Sequence, residues 1–190
     1  MRLKIKIFAF IAVWTIFAQG RTYAQNAIDR FRPLVETSAH RLALADQVAL
    51  AKWDSGMPVE DAPREAQVIA SAIEAGESRG LDKEAVSNFF RAQIEANKLV
   101  QYSLLAEWRR AGKAPDHAPV NLASTIRPEF DQVQSALIAE LGETSGVRAS
   151  ASCRTDIAKA VGKYVSAHEN SFSTLKIIAL DRALAAACTP

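Results

Sequence analysis

Cys153 and Cys188 are the only two cysteines of the chain, and no proline lies between them. Drawn as one unbroken helix, that segment would hold its two ends about 50 Å apart at 1.5 Å per residue. A disulfide needs Cα atoms within about 7 Å. An intrachain bond therefore forces residues 153 to 187 to double back, and His168-Glu169-Asn170-Ser171 is the natural place for the reversal. Two helices clasped at their open ends result, with loop closure contributing about 3 to 4 kcal/mol. The alternatives are two buried free thiols and a bridge between chains.

An even cysteine count reads as a disulfide only in an oxidising compartment. The first 24 residues predict that compartment. Arg2, Lys4 and Lys6 precede the apolar run from Ile7 to Ala18, and Thr22-Tyr23-Ala24 ends the segment. That order predicts a cleavable signal peptide over residues 1 to 24, with cleavage near Ala24 and a periplasmic or secreted mature chain from Gln25. An uncleaved anchor is the alternative, although the run is shorter than the roughly 20 residues that span a bilayer. No membrane partner is expected after cleavage. The segment carries four basic residues and no acidic one, so its removal takes the net charge from +2 to −2. No basic stripe with interleaved aromatics remains, which excludes nucleic acid as a partner.

Residues 25 to 190 are long enough for one domain with a sizeable core. From about Phe31 to Trp53, Leu34, Val35, Leu42, Ala45, Val48 and Ala49 recur at helical spacing, with Pro33 in the first turn. Gly56 and Pro58 break this helix. Asp61-Ala62-Pro63 then opens a second, ending near Arg79, and Asp82 caps a third that runs to about Arg110. Gly112 to Pro119 reads as a surface crossing with His117 solvated. A fourth helix is expected from about Pro128 to Leu141, followed by a Gly- and Ser-rich loop from Gly142 to Ser152. Strand-like alternation and internal repeats are absent from the pattern. The expectation is an all-α bundle of about five to six helices, with helices over about 31 to 111 and again over about 128 to 187.

Arg41 and Lys52 stand eleven residues apart, which on a helix is three turns and about 20° of rotation. Both leave one face as a cationic row. Lys52 sits beside the apolar run Val48 to Ala51, where a buried ammonium needs an anionic or hydrogen-bonding partner. Asp61, Arg64 and Glu65 crowd the first turn of the second helix. There Asp61 suits an N-cap and Glu65 suits the positive helix end. Asn97 and Gln101 stack four apart on the third. Each of these alone has an ordinary reading as a solvated surface group.

Together, Arg41-Leu-Ala-Leu-Ala-Asp-Gln-Val-Ala-Leu-Ala-Lys52-Trp53, Pro58-Val-Glu-Asp61-Ala-Pro-Arg64-Glu65 and Gln93-Ile-Glu-Ala-Asn97-Lys-Leu-Val-Gln101 resemble the exported subclass of the all-helical chorismate mutases. The resemblance covers about residues 34 to 110. It implies conversion of chorismate to prephenate, a pericyclic rearrangement within one dianionic molecule that calls for no nucleophile, metal or cofactor. The protein must hold two carboxylates, favour the compact conformer and stabilise charge developing on the breaking ether oxygen.

By that resemblance Arg41 is the clamp on one carboxylate, where a guanidinium can bind in bidentate fashion. Lys52 and Gln101 are implied to be the two donors to the ether oxygen. Arg64 is the implied cation over the side-chain carboxylate, Asp61 and Glu65 lie near the ring hydroxyl, and Asn97 is a further polar contact to a carboxylate. Arg41, Lys52, Arg64 and Gln101 form the implied catalytic set. Cytosolic relatives borrow an arginine from a partner subunit, but Ala24 stands at the matching distance before Arg41. The exported subclass supplies it from downstream in the same chain, and Arg127 is the candidate. Val68 and Lys98 depart from exported relatives and are not assigned to the site. Gln101 needs no protonation to donate, so activity without a demand for acidic pH is expected.

Residues 128 to 190 show no repeat of the site pattern and are expected to be structural and dimer-forming, giving a homodimer without an allosteric site. The competing function is a non-catalytic periplasmic helical module that binds anions or acts as a sensor. Convergence of Arg41, Lys52, Arg64 and Gln101 on an apolar-walled pocket of about 300 Å³ or more separates a ligand site from a purely structural bundle, which would splay them into water.

Overall fold

The structure, a computed structural model, describes residues 26–169 and 172–189. The expected signal peptide, with Ala24 and Gln25, lies outside them. Residues 26–30 are helical and lead into α1, Arg32–Ser55. There follow α2, Ala62–Glu77, and α3, Lys83–Ala111. A π-helical turn, Leu122–Ile126, runs directly into α4, Arg127–Glu143. The chain closes with α5, Ser145–Arg148, α6, Cys153–Ala167, and α7, Thr174–Leu184. The class is all-α, with no strand among the described residues. No helix among them is long and apolar enough to cross a membrane.

Local chemistry sets the ends of the first three helices. Asp61 accepts from the Arg64 N–H at 3.1 Å and Asp82 from the Ala85 N–H at 2.8 Å, each satisfying a free donor of a first turn. Gly56 ends α1 at φ 69°, and Gly112 ends α3 at φ 76°, a conformation that glycine adopts without a Cβ clash. Gly76 allows α2 and α3 to approach closely, since a Cβ there would stand 2.8 Å from Val86 Cγ2.

α1 runs through the middle of the bundle against α3, α4, α6 and α7, and α2 lies over α3 and α4. Phe31, Leu34, Phe89, Phe90, Leu137 and Leu180 are buried in the shared core. A smaller cluster of Ala49, Val59, Leu105 and Trp108 seats the α1–α2 loop, with Trp53 meeting Trp108 edge to face at 6.0 Å. α6 and α7 form the expected reversal. The Cys153–Cys188 disulfide joins their open ends with Cα atoms 5.9 Å apart.

Two expectations need correction. Gly142 to Ser152 is not simply a loop, because α4 continues to Glu143 and α5 follows as one turn. Buried Arg148 organises it, donating from Nε to the Ala187 carbonyl at 2.6 Å and from Nη1 to the Leu141 carbonyl at 2.9 Å. Those distant acceptors override the weak helix preference of Gly and Ser. His117 is half-buried rather than freely solvated: its Nε2 lies 2.9 Å from Asp54 Oδ2 and its Nδ1 2.8 Å from the Pro115 carbonyl, pinning the crossing to the end of α1. The backbone contact first, then Asp54, raises its pKa. The π-helical turn before α4 was not foreseen. The Asn121 side chain caps it, accepting from the Ala123 and Ser124 N–H groups.

Candidate active site

A cavity of about 150 Å³ lies between α1, α2, α3, the π-helical turn and the start of α4. All eight sequence-predicted residues, Arg41, Lys52, Asp61, Arg64, Glu65, Asn97, Gln101 and Arg127, border it. The cavity is tighter than the expected 300 Å³. Phe130 lies over the Arg41 guanidinium, ring centroid to carbon 4.9 Å, and Lys52 crosses to the Val59 carbonyl at 2.7 Å.

Arg41 is only 6% exposed. Its Nη1 donates to the Gln93 carbonyl at 3.0 Å, and among the described residues it has no carboxylate within 4 Å. Burial lowers its pKa to about 10, which leaves it charged at neutral pH. A guanidinium carries five N–H donors, so most of its hydrogen-bonding capacity stays uncommitted beside the cavity. Burying such a cation is costly unless a partner arrives. Gln93 steadies it from behind, its Nε2 donating to Ser38 Oγ at 2.9 Å and to the Ala183 carbonyl at 3.3 Å.

The polar ladder of α3 is tied to α1. Asn97 Nδ2 donates to the Arg41 carbonyl at 3.0 Å, and Gln101 Nε2 donates to Asn97 Oδ1 at 2.7 Å. Backbone carbonyl, Asn97 and Gln101 thus orient one another in series. Each amide NH₂ has two hydrogens, so both side chains keep one for a ligand. Gln101 Oε1 is buried without a partner among the described residues. Asp46 Oδ1, Gln93 Oε1 and Glu140 Oε2 are also buried without a partner among the described residues, but of these four atoms only that of Gln101 belongs to a residue bordering the cavity.

Lys52 is half-buried, and burial lowers its pKa against the opposing pull of Asp61, Glu65 and Glu60. On α2, Asp61 is occupied as the N-cap, while Arg64 donates to Gln67 Oε1 at 2.8 Å and stands 3.8 Å from Asp131 on α4. Glu65 Oε1 reaches back to the Asp61 N–H at 3.4 Å. Arg127, the first residue of α4, is exposed at the rim.

Val68 and Lys98, left out of the site by the sequence reading, also border the cavity, as do Phe130 and Asp131. A helical-wheel projection could have placed Val68, four residues after Arg64, but not Lys98, which stands about 100° around the helix from Asn97. Phe130 and Asp131 depend on the angle at which α4 returns, which no local signal encodes. Five basic and three acidic side chains border the cavity, but Lys98 is taken up by Glu60, Glu65 and Glu95, so the positive charge open to a ligand rests with Arg41, Lys52, Arg64 and Arg127. Such a lining suits an anion better than a cation.

A family model described as chorismate mutase type II matches residues 26–102. The secreted chorismate mutase of Mycolicibacterium smegmatis is 33% identical over 136 residues, which cover 71% of this chain and 74% of that one. The crystal structure of a chorismate mutase from Burkholderia phymatum superposes with a TM-score of 0.82 at 45% identity, covering 86% of this chain and 99% of that one. That of Burkholderia thailandensis gives 0.79 at 31% identity, covering 84% and 99%.

Proposed function

The chain belongs to the secreted subclass of the all-helical chorismate mutase family, and we propose that the cavity walled by α1 to α4 is where it converts chorismate to prephenate. The observation that carries this placement is Arg41, a buried cation without a carboxylate partner among the described residues, facing a cavity that Lys52, Arg64 and Arg127 also border.

Chorismate brings two carboxylates, and these cations can receive both. Arg41 receives one carboxylate through its free N–H groups, and Asn97 offers its remaining amide hydrogen to the same end. Arg64 and Arg127 close over the other. Arg64 exchanges its loose 3.8 Å contact with Asp131 for the substrate. With both carboxylates held, the enol ether carbon lies over the ring and the molecule is restricted to its compact conformer.

The rearrangement then runs within one molecule: the ether C–O bond breaks as a new C–C bond forms, and nothing leaves. Negative charge gathers on the ether oxygen. Lys52 and Gln101 donate to it from a wall that excludes most water, so they stabilise the transition state more than the ground state. Asp61 and Glu65 accept from the ring hydroxyl and set the face that the ring presents.

Export delivers this chain to the periplasm or medium after cleavage near Ala24, where the Cys153–Cys188 bond can form. It works as a homodimer with a complete cavity in each subunit. Sequencing the N-terminus of the exported product and measuring its mass by light scattering test these two statements. The activity test is the loss of chorismate absorbance with the chain from Gln25, run beside Lys52→Ala at neutral pH. Turnover in the wild type, lost by on the order of 10²-fold or more in the variant, is expected. A folded wild type that binds chorismate without turnover would instead be an anion-binding module.

A further inference from the structure

Lys98 reaches into the cavity wall from α3 with its side chain only 11% exposed, and its ammonium meets three carboxylates: Glu95 at 2.8 Å, Glu60 at 2.9 Å and Glu65 at 3.3 Å. Tyr102 holds Glu60 by the other oxygen, donating to Oε1 at 2.9 Å. Lys52 stands in the same cavity. Its ammonium rests on the Val59 carbonyl and has no carboxylate within 4 Å among the described residues. Yet Glu60, the next residue after Val59, and Glu65 are both near enough to act on its charge. Of two ammonium groups beside the same acids, one takes them and the other is left without.

The division matters to the chemistry. An ammonium locked to a carboxylate must give up that pair before it can donate to a substrate oxygen, whereas one resting on a neutral carbonyl keeps N–H donors free. We infer that Lys98 is a positioning residue for the rearrangement: by binding Glu60 and Glu65 it keeps them off Lys52, whose ammonium stays available to the ether oxygen. The inference rests on the mutase reading of this cavity. It also accounts for a lysine in a wall that must receive an anion without itself being a free cation. Burial opposes the charge on Lys98, but its bonds to Glu95, Glu60 and Glu65 prevail and hold its pKa above the usual lysine range.

The test is steady-state kinetics over pH for Lys98→Met, Lys98→Arg and the double variant Lys98→Met/Glu60→Gln. Lys98→Met frees Glu60 and Glu65 to pair with Lys52. KM should then rise about tenfold with a smaller fall in kcat, because the substrate must displace an internal anion. The alkaline limb of the profile should move to higher pH. Asp61, Glu65, Glu60 and Lys98 act on the charge of Lys52, and Arg64 from α2 and Arg127 and Asp131 from α4 border the same cavity. Lys98→Arg should stay within about threefold of wild type, since a guanidinium can hold the same carboxylates. Adding Glu60→Gln should recover most of the loss.

Failure of Glu60→Gln to recover activity would mean that Lys98 touches the substrate itself, and it overturns the inference. An unchanged KM and pH limb in Lys98→Met, with only a lower melting temperature, overturns it as well. If Lys98→Met does not fold, Lys98→Gln combined with Glu95→Gln keeps a hydrogen-bonding pair in the wall while still freeing Glu60 and Glu65. The same rise in KM is required of it. A wild type without turnover would strike the mutase reading itself, whereas an active wild type beside an unaffected Lys98→Met strikes this inference alone.

Discussion

Arg41 and Arg148 are buried to nearly the same depth, 6% and 4% exposed, and in both burial lowers the pKa of the guanidinium. Neither has a carboxylate within 4 Å among the described residues. Their surroundings differ in what is left over. Arg148 spends Nε and Nη1 on the Ala187 and Leu141 carbonyls, and its own carbonyl accepts from the Thr189 N–H at 3.1 Å, so the C-terminal segment is laced to α4 and α5 beside the disulfide. Arg41 makes one bond to the Gln93 carbonyl and otherwise borders a cavity. A buried cation therefore does not mark a site by itself. Uncommitted donors beside open volume do, because only they lower their free energy when an anion arrives.

Substitution breaks the comparison most sharply at Arg41. Arg41→Ala should cost on the order of 10³-fold in kcat/KM, the upper end for a donor in a dry, preorganised site. Arg41→Lys should recover little, because a point charge cannot reproduce a planar fork. Steady-state kinetics on chorismate check both, with thermal unfolding to show that the variants remain folded. An Arg41→Ala enzyme within tenfold of wild type would remove the clamp from the account.

The C-terminal region should respond in the opposite currency. Replacing Cys153 and Cys188 together by serine should cost about 3 to 4 kcal/mol of stability through the freed loop. Arg148→Met should cost about 2 kcal/mol by stranding two buried carbonyls. Activity per folded molecule should hold in both. Denaturant unfolding measures the first quantity and kinetics well below the transition the second. A loss of turnover without a loss of stability at Arg148 would mean that the clasp reaches the cavity.

The same contrast explains what could be read from the chain alone. α1 to α3 were legible because Asp61, Asp82, Gly56 and Gly112 announce their ends and the apolar spacing is regular. The cavity residues on those helices were legible because Arg41 and Lys52, or Asn97 and Gln101, share a face by helical arithmetic. The reversal between α6 and α7 followed from two cysteines and a distance limit. What escaped depends on chain paths rather than local pattern. The Gly142 to Ser152 segment folds because Arg148 finds carbonyls 7 and 39 residues away. Phe130 and Asp131 enter the cavity because the π-helical turn sets where α4 begins. Lys98 reads as an ordinary surface lysine until Glu60, Glu65 and Glu95 are seen to converge on it.

The smallest expected effect is on pH, and it separates the two proposed donors to the ether oxygen. Gln101 does not titrate, so nothing in that donor requires acid, and turnover should be flat from about pH 6 to 8. Lys52 donates only while protonated, and a lysine loses its proton as pH rises. Burial favours the neutral form and lowers its pKa, with Asp61, Glu65 and Glu60 opposing. The alkaline fall in kcat/KM should therefore begin below the pH at which an exposed lysine, near 10.4, would discharge. In Lys52→Arg the fall should vanish from the accessible range, because a guanidinium stays charged there, even though the altered geometry lowers the rate at every pH. An activity that collapses above pH 6 would point to a donor needing protonation at position 101 or elsewhere. An alkaline limb that persists unchanged in Lys52→Arg would assign it to another group.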